Sequence, residues 1–238
     1  MLHNTFCRRL AALVLTLAVA VSAVLPVFAV YPMPIQTATE TEAVYLFNAD
    51  TGKTLLTQNA DQPRYVASLT KMMTALLLLE SGKDLNGEVT VPTDLTQEFK
   101  DSQNANGTPM GLRIGETVRR IDLLNALLIT SANDAASVIA WDVGGSLNAF
   151  IQQMNARAAE LGCTSATFTC AHGLYDYGNV ASAEDMAKIA AACAANETFA
   201  QVAGSTTYTL GQTNFHSEQR TISSSNPLMD ASGAYYKD

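Results

Sequence analysis

The stretch from Ser68 to Glu80 constrains this chain most. Its spacing predicts one helix, closed by Gly82. Met72, Met73, Ala75, Leu76, Leu77, Leu78 and Leu79 occupy most of its circumference. A helix that is apolar all round has no face for water, so the rest of a domain must be wrapped around it. The polar exceptions gather at its start, in Ser68-Leu69-Thr70-Lys71.

Positions three apart on a helix share a face, so Ser68 and Lys71 can meet. A serine hydroxyl is a weak nucleophile until a base takes its proton. An apolar surround disfavours the ammonium form of Lys71 and can leave a neutral amine to act as that base. Free backbone N–H groups in a first helical turn suit the oxyanion of a tetrahedral intermediate. Alone, the spacing equally fits a serine N-cap with a snorkelling lysine. Ser131-Ala132-Asn133, 63 residues after Ser68, is a second polar arm. It interrupts a helical pattern running from Ile121 to Thr130, and Asn133 or Asp134 is expected to cap the next helix, Ala135 to Val143.

Elsewhere Ala43–Asn48 and Thr54–Gln58 read as two strands joined at Asp50-Thr51-Gly52-Lys53. Gly52-Lys53-Thr54 is not a phosphate loop, because Phe47 stands where the first glycine belongs. Residues 84–118 are dense in Gly, Pro, Asn and Thr and are expected to be an irregular connection with short β pieces. Leu147–Leu161 is expected to be an amphipathic helix stopped by Gly162. Ser182-Ala183-Glu184-Asp185 reads as a capping box opening a helix to about Ala195. Tyr208–Leu210 and Arg220–Ser223 are weaker strand candidates.

The N-terminus carries Arg8-Arg9, an apolar run from Leu10 to Leu25 and Val27-Phe28-Ala29. This is the pattern of a secretory signal peptide over residues 1–29, with an uncleaved membrane anchor as the alternative. Residues 30–42 then form a flexible lead-in. Removal of residues 1–29 leaves 12 basic against 22 acidic side chains, a net charge of −10. An acidic chain without a basic cluster excludes nucleic acid as a partner. Cys163, Cys170 and Cys193 remain; a Cys163–Cys170 bridge is conceivable, and free thiols are the favoured reading. His172 and His216 lie apart and no Cys-x-x-Cys occurs, so neither a metal site nor a cofactor is expected.

Taken together, Ala67-Ser68-Leu69-Thr70-Lys71-Met72-Met73-Thr74-Ala75, Ser131-Ala132-Asn133-Asp134-Ala135-Ala136, Met154-Asn155, Glu160-Leu161-Gly162, His172-Gly173-Leu174 and Ser182-Ala183-Glu184-Asp185-Met186-Ala187 resemble the D-alanyl-D-alanine carboxypeptidases, the low-molecular-mass penicillin-binding proteins. The resemblance runs from about Ala43 to the last residue. It implies a mixed α/β (α+β) fold of the β-lactamase/transpeptidase-like kind, with an antiparallel sheet packed against a helical cluster over residues 43–238. It implies Ser68 as acylated nucleophile, Lys71 as proton acceptor, Ser131 as relay hydroxyl and Asn133 as a substrate-binding amide. The implied substrates are peptidoglycan stem peptides ending in D-Ala-D-Ala, with β-lactams as covalent inhibitors, in an exported, extracytoplasmic protein. A serine β-lactamase is the near alternative, and no Glu with an Asn four residues on supports it. A non-catalytic remnant is the alternative from another class.

The family's third motif, Lys-Thr-Gly, does not occur in the 238 residues. Asn226-Pro227-Leu228-Met229 and Tyr235-Tyr236 look like its lead-in, and Lys237 is followed by Asp238. The resemblance therefore implies a domain incomplete at its C-terminus, without the membrane-associating segment of other members. The expectation for these 238 residues alone is that they lack carboxypeptidase activity.

Overall fold

The helix opened by Ser68 lies at the centre of the packing. The computed structural model describes residues 41–174 and 176–229. The expected signal peptide, nearly all of the lead-in, and Tyr235, Tyr236 and Lys237 lie outside the described residues. In chain order the elements are β1 (Val44–Phe47), β2 (Thr54–Gln58), β3 (Arg64–Tyr65), α1 (Thr70–Glu80), β4 (Glu88–Thr90), α2 (Thr96–Asn104) and β5 (Thr117–Arg119). They continue with α3 (Arg120–Ile129), α4 (Asn133–Gly144), α5 (Leu147–Glu160), β6 (Val180–Ala181), α6 (Ala183–Ala194), α7 (Glu197–Ala203), β7 (Thr207–Leu210) and β8 (Arg220–Ser223).

Helix α1 touches α3, α4, α5, α6 and α7. That explains its composition: Met73, Leu76 and Leu78 are all but inaccessible, and burying one such side chain is worth roughly 1.5–3 kcal/mol. Gly82, with φ +72°, ends the helix in the left-handed conformation that a residue with a Cβ resists. Among the described residues the strands pair antiparallel as β1–β2, β3–β6, β4–β5 and β7–β8. The β1–β2 hairpin turns where the sequence places it, with Val44 opposite Gln58. The β3–β6 pair joins the segment entering α1 to the segment before α6, with Tyr65 opposite Val180.

Two expectations need correction. The 84–118 connection contains a helix, α2. Its sequence, Thr-Gln-Glu-Phe-Lys-Asp-Ser-Gln-Asn, has a single large apolar residue, Phe99. That leaves no hydrophobic stripe from which helical periodicity could be read. Further, neither Asn133 nor Asp134 caps α4, whose N-cap is Ala132 in an extended conformation. The Asp134 carboxylate instead accepts the backbone N–H groups of Met110, Gly111 and Leu112 at 2.8, 2.8 and 2.9 Å, and that of Ala135 at 2.9 Å. A connection without periodic structure must satisfy its backbone somewhere, and here a buried acid collects it. Ser182 caps α6 through its hydroxyl, the half of the expected capping box that forms, while the Asp185 carboxylate accepts the Thr164 and Ser165 N–H groups; Ser146, for which the sequence carries no such expectation, caps α5.

The β7–β8 hairpin is held by a second buried acid. Asp122, 2% exposed, binds Arg119 through both oxygens, accepts the Tyr208 hydroxyl at 2.8 Å and receives the Gly211 N–H at 3.3 Å. No helix among the described residues is long and apolar enough to cross a membrane.

Asp134→Ala leaves three N–H donors in the 110–112 turn without their acceptor. The Leu112 bond is buried and those of Met110 and Gly111 are part-buried, so water replaces part of what is lost and the expected cost in urea unfolding is roughly 1–3 kcal/mol. A loss below about 0.5 kcal/mol, the level of an ordinary surface change, would contradict the role given to this carboxylate.

Candidate active site

Ser68 sits in a short 3-10 turn, Ala67–Leu69, immediately before α1. Three residues near the start of α1, Thr70, Lys71 and Thr74, are polar yet nearly inaccessible, at 0%, 3% and 0% exposure. All three are satisfied by one stretch of chain. Thr74 Oγ1 donates to the Ala171 carbonyl at 2.6 Å, Lys71 Nζ donates to the His172 carbonyl at 2.7 Å, and Asn179 Nδ2 donates to Thr70 Oγ1 at 2.8 Å. The helix therefore carries a polar stripe at 70, 71 and 74, the spacing of one helical face, and the 171–179 segment is bound along it.

The same segment is pressed against the residue before Ser68. Gly173 has φ +76°, and a Cβ there would lie 1.9 Å from the Ala67 carbonyl oxygen. Ala67 itself is left-handed at φ +48°, a conformation that costs a non-glycine residue of order 1–3 kcal/mol. Tyr65 closes the contact by donating its hydroxyl to the Gly173 carbonyl at 2.6 Å.

Lys71 Nζ also stands 3.1 Å from Ser68 Oγ. Burial pushes the Lys71 ammonium down to about 8, against a smaller opposing influence from nearby Cys170. A neutral lysine amine has N–H groups to donate and one lone pair to accept. With one N–H held by the His172 carbonyl, the lone pair is left for the Ser68 hydroxyl proton. The arrangement is chemically competent to deprotonate Ser68 near neutral pH.

The structure thus brings Ser68 and Lys71 together. Ser131 lies in the break between α3 and α4 with φ +60°, held there as the Ala132 N–H reaches back to the Ala126 carbonyl at 3.1 Å. No hydrogen bond joins the Ser131 hydroxyl to Ser68 or Lys71. Asn133 is buried, 3% exposed. Its N–H donates to the Thr108 carbonyl at 2.8 Å. Its amide nitrogen fills the space beside Gly107, where a Cβ would approach it to 2.4 Å.

Sequence reasoning missed the parts that hold the pair in place. His172 contributes its backbone carbonyl, which no side-chain pattern reports. Its imidazole is itself held, with Nε2 2.8 Å from Glu98 Oε1; the Glu98 carboxyl lies below its ordinary range, chiefly through that contact. Glu98 lies on α2, inside the stretch read as irregular. The one available signal was the glycine of His172-Gly173-Leu174, since glycine marks a place of close backbone approach. Among the described residues, no group of three or more His, Cys, Asp and Glu side chains is placed to hold a metal ion.

A family model described as D-alanyl-D-alanine carboxypeptidase matches residues 31–234. D-alanyl-D-alanine carboxypeptidase DacF of Bacillus subtilis is 33% identical over 153 residues, covering 64% of this chain and 39% of the relative. DacC of Escherichia coli is 37% identical over 155 residues, covering 62% and 38%. The chain thus spans well under two thirds of the length of these relatives. In structure it is similar to the Streptomyces K15 DD-transpeptidase, with a TM-score of 0.71 at 30% identity, covering 80% of this chain and 76% of the other. It is also similar to a D-alanyl-D-alanine carboxypeptidase from Mycobacterium tuberculosis, with a TM-score of 0.68 at 28% identity, covering 78% and 66%.

Gly173→Ala combines a left-handed backbone with overlap against the Ala67 carbonyl. The expected loss of stability in urea unfolding is ~2 kcal/mol or more, from ~1–2 kcal/mol of backbone strain and a further overpacking cost. A variant as stable as the parent would show that the 173–67 contact yields easily.

Proposed function

The chain belongs to the D-alanyl-D-alanine carboxypeptidase family, and from that premise we propose that it is a serine-type D-Ala-D-Ala carboxypeptidase acting through an acyl-enzyme on Ser68. The observation that carries the reading is the buried Lys71 amine, 3.1 Å from Ser68 Oγ and anchored to the His172 carbonyl.

Ser68 Oγ attacks the carbonyl carbon of the penultimate D-alanine in a peptidoglycan stem peptide. Lys71 takes the hydroxyl proton as the new C–O bond forms. The peptide C–N bond then breaks, and the terminal D-alanine leaves as the free amine after receiving a proton. Water hydrolyses the ester and restores the Ser68 hydroxyl. Ser131, in the break between α3 and α4, is assigned the relay of that proton to the leaving amine, and Asn133 a hydrogen bond to the substrate's amide. Both assignments draw on the match of Ser131-Ala132-Asn133 to the family's second motif. β-Lactams carry a strained amide in place of the scissile peptide and acylate the same oxygen. Peptidoglycan lies outside the cytoplasmic membrane, so the proposal includes export, with residues 1–29 as signal peptide and 43–238 as the catalytic domain.

With labelled penicillin as probe, Ser68→Ala is expected to abolish covalent labelling. Lys71→Ala is expected to slow it by ~10²–10⁴-fold, the usual contribution of a positioned base. Retention of one label per chain in Ser68→Ala would remove Ser68 from the role of nucleophile. D-Alanine release from a D-Ala-D-Ala peptide then separates a carboxypeptidase from a protein that only binds the antibiotic.

A further inference from the structure

Helix α2 reaches the Ser68–Lys71 pair through a link that the proposed reaction does not use. Glu98 extends from α2 with its side chain 25% exposed. Its oxygen Oε1 has partners on two other parts of the fold. One is His172 Nε2 at 2.8 Å. The other is the hydroxyl of Ser137 on α4, at 3.1 Å, from a residue that is fully buried. Ser137 stands about one helical turn beyond Asn133, and its hydroxyl also lies 3.2 Å from the Asn133 carbonyl. A single carboxylate oxygen thus ties the helix that carries the second motif to the segment that holds Lys71.

The His172 ring is fixed at both nitrogens. Nδ1 accepts the Leu174 N–H at 3.0 Å, so the proton of the neutral ring stands on Nε2 and is donated to Glu98. The ring therefore clamps the chain at two points, at its own Cα and at the Leu174 nitrogen. Between them lies the peptide whose carbonyl accepts Lys71 Nζ. Gly173 also lies there, at φ +76°, and glycine has the freest backbone of any residue. Thr74 and Tyr65 hold the carbonyls of Ala171 and Gly173 on either side. The direction of the carbonyl between them is set by the imidazole clamp, and the clamp is anchored to the body of the fold by Glu98.

We propose that Glu98 is a positioning residue for the Lys71 base: through His172 it aims the carbonyl that holds the amine, and through Ser137 it keeps that segment in register with α4. Its bearing on catalysis rests on reading Ser68 and Lys71 as nucleophile and base. Its bearing on the Lys71 amine does not.

Positioning and direct charge have opposite signs at Lys71. Burial and, more weakly, Cys170 set the amine. Loss of a nearby negative charge lowers a lysine. Loss of the clamp frees the 172–173 peptide and lets water reach Nζ. That reverses the burial holding the amine down, so the amine rises toward its ordinary value.

The test is an NMR titration of Lys71 in the full chain with selectively labelled lysine, each variant's fold being checked by its urea midpoint. Glu98→Ala is expected to raise the Lys71 midpoint by about one unit or more, which leaves roughly tenfold fewer neutral amines at pH 7. Glu98→Leu, which keeps bulk without an acceptor, repeats that loss in a second variant. Glu98→Gln removes the charge but keeps an acceptor oxygen for the Nε2 proton, and its midpoint should stay at the parent value. His172→Ala should match Glu98→Ala, and the double variant should shift no further than either, because both cut one link. A Lys71 midpoint that is unchanged or falls in Glu98→Ala would overturn the proposal. So would equal shifts in Glu98→Ala and Glu98→Gln, or shifts that add in the double variant. The catalytic consequence is read separately: at pH 7, labelled-penicillin acylation should slow by about tenfold in Glu98→Ala and keep its parent rate in Glu98→Gln. A parent chain that never acylates would count against the reading of Ser68, and the titration would still decide the role of Glu98.

Discussion

The hydrogen bond from Lys71 Nζ to the His172 carbonyl is the interaction on which the rest depends. A lysine 3% exposed on a helix packed by five others would be costly if its head found no acceptor. The carbonyl solves that problem and creates the chemistry at the same time. It satisfies the head group without supplying a negative charge, so burial dominates and only a smaller influence from nearby Cys170 works toward the ammonium. A carboxylate in its place would have stabilised the charged form. The polar stripe of Thr70, Lys71 and Thr74 then serves as a docking line for residues 171–179, and the fold delivers that segment by pairing β3 with β6.

The two serines of the family motifs share a backbone feature. The residue before Ser68 and Ser131 itself both have positive φ, +48° and +60°, without being glycine. Left-handed residues of this kind persist only where the surroundings over-determine them. Ala67 is trapped between the turn into α1 and Gly173, which is itself fixed by the Tyr65 hydroxyl. Ser131 is trapped between α3, which binds the Ala132 N–H, and the 108–112 loop, which Asp134 and the Asn133 N–H hold in place. Each motif is therefore strained locally and stabilised by residues distant in sequence.

Much of this was legible beforehand, for physical reasons that can be named. An all-round apolar run can only be a central helix, and Ser68 and Lys71 meet because three residues are nearly one turn. Helix α5, with its amphipathic pattern and its Gly162 stop, and helix α6, opened by the Ser182 hydroxyl, announce themselves by local chemistry. Helix α2 does not, because it lies on the surface with almost no apolar stripe. Asn133 or Asp134 reads as a cap because such side chains usually bond nearby backbone. The true partners of Asp134, at 110–112, are more than twenty residues away. The His172 carbonyl was invisible because backbone atoms carry no residue identity. The His172–Glu98 contact was invisible because the imidazole and the carboxylate come together only when α2 folds against residues 170–174.

The central claim is that burial against a neutral carbonyl leaves Lys71 with an amine available near neutral pH. Its most direct test is an NMR titration of the Lys71 side chain, with selectively labelled lysine and assignment by Lys71→Arg. The account predicts a midpoint at about 8, with the other lysines titrating near the ordinary ~10.4. A Lys71 midpoint at or above that ordinary value would contradict it, because the amine would then be charged throughout the range in which the proposed chemistry has to run.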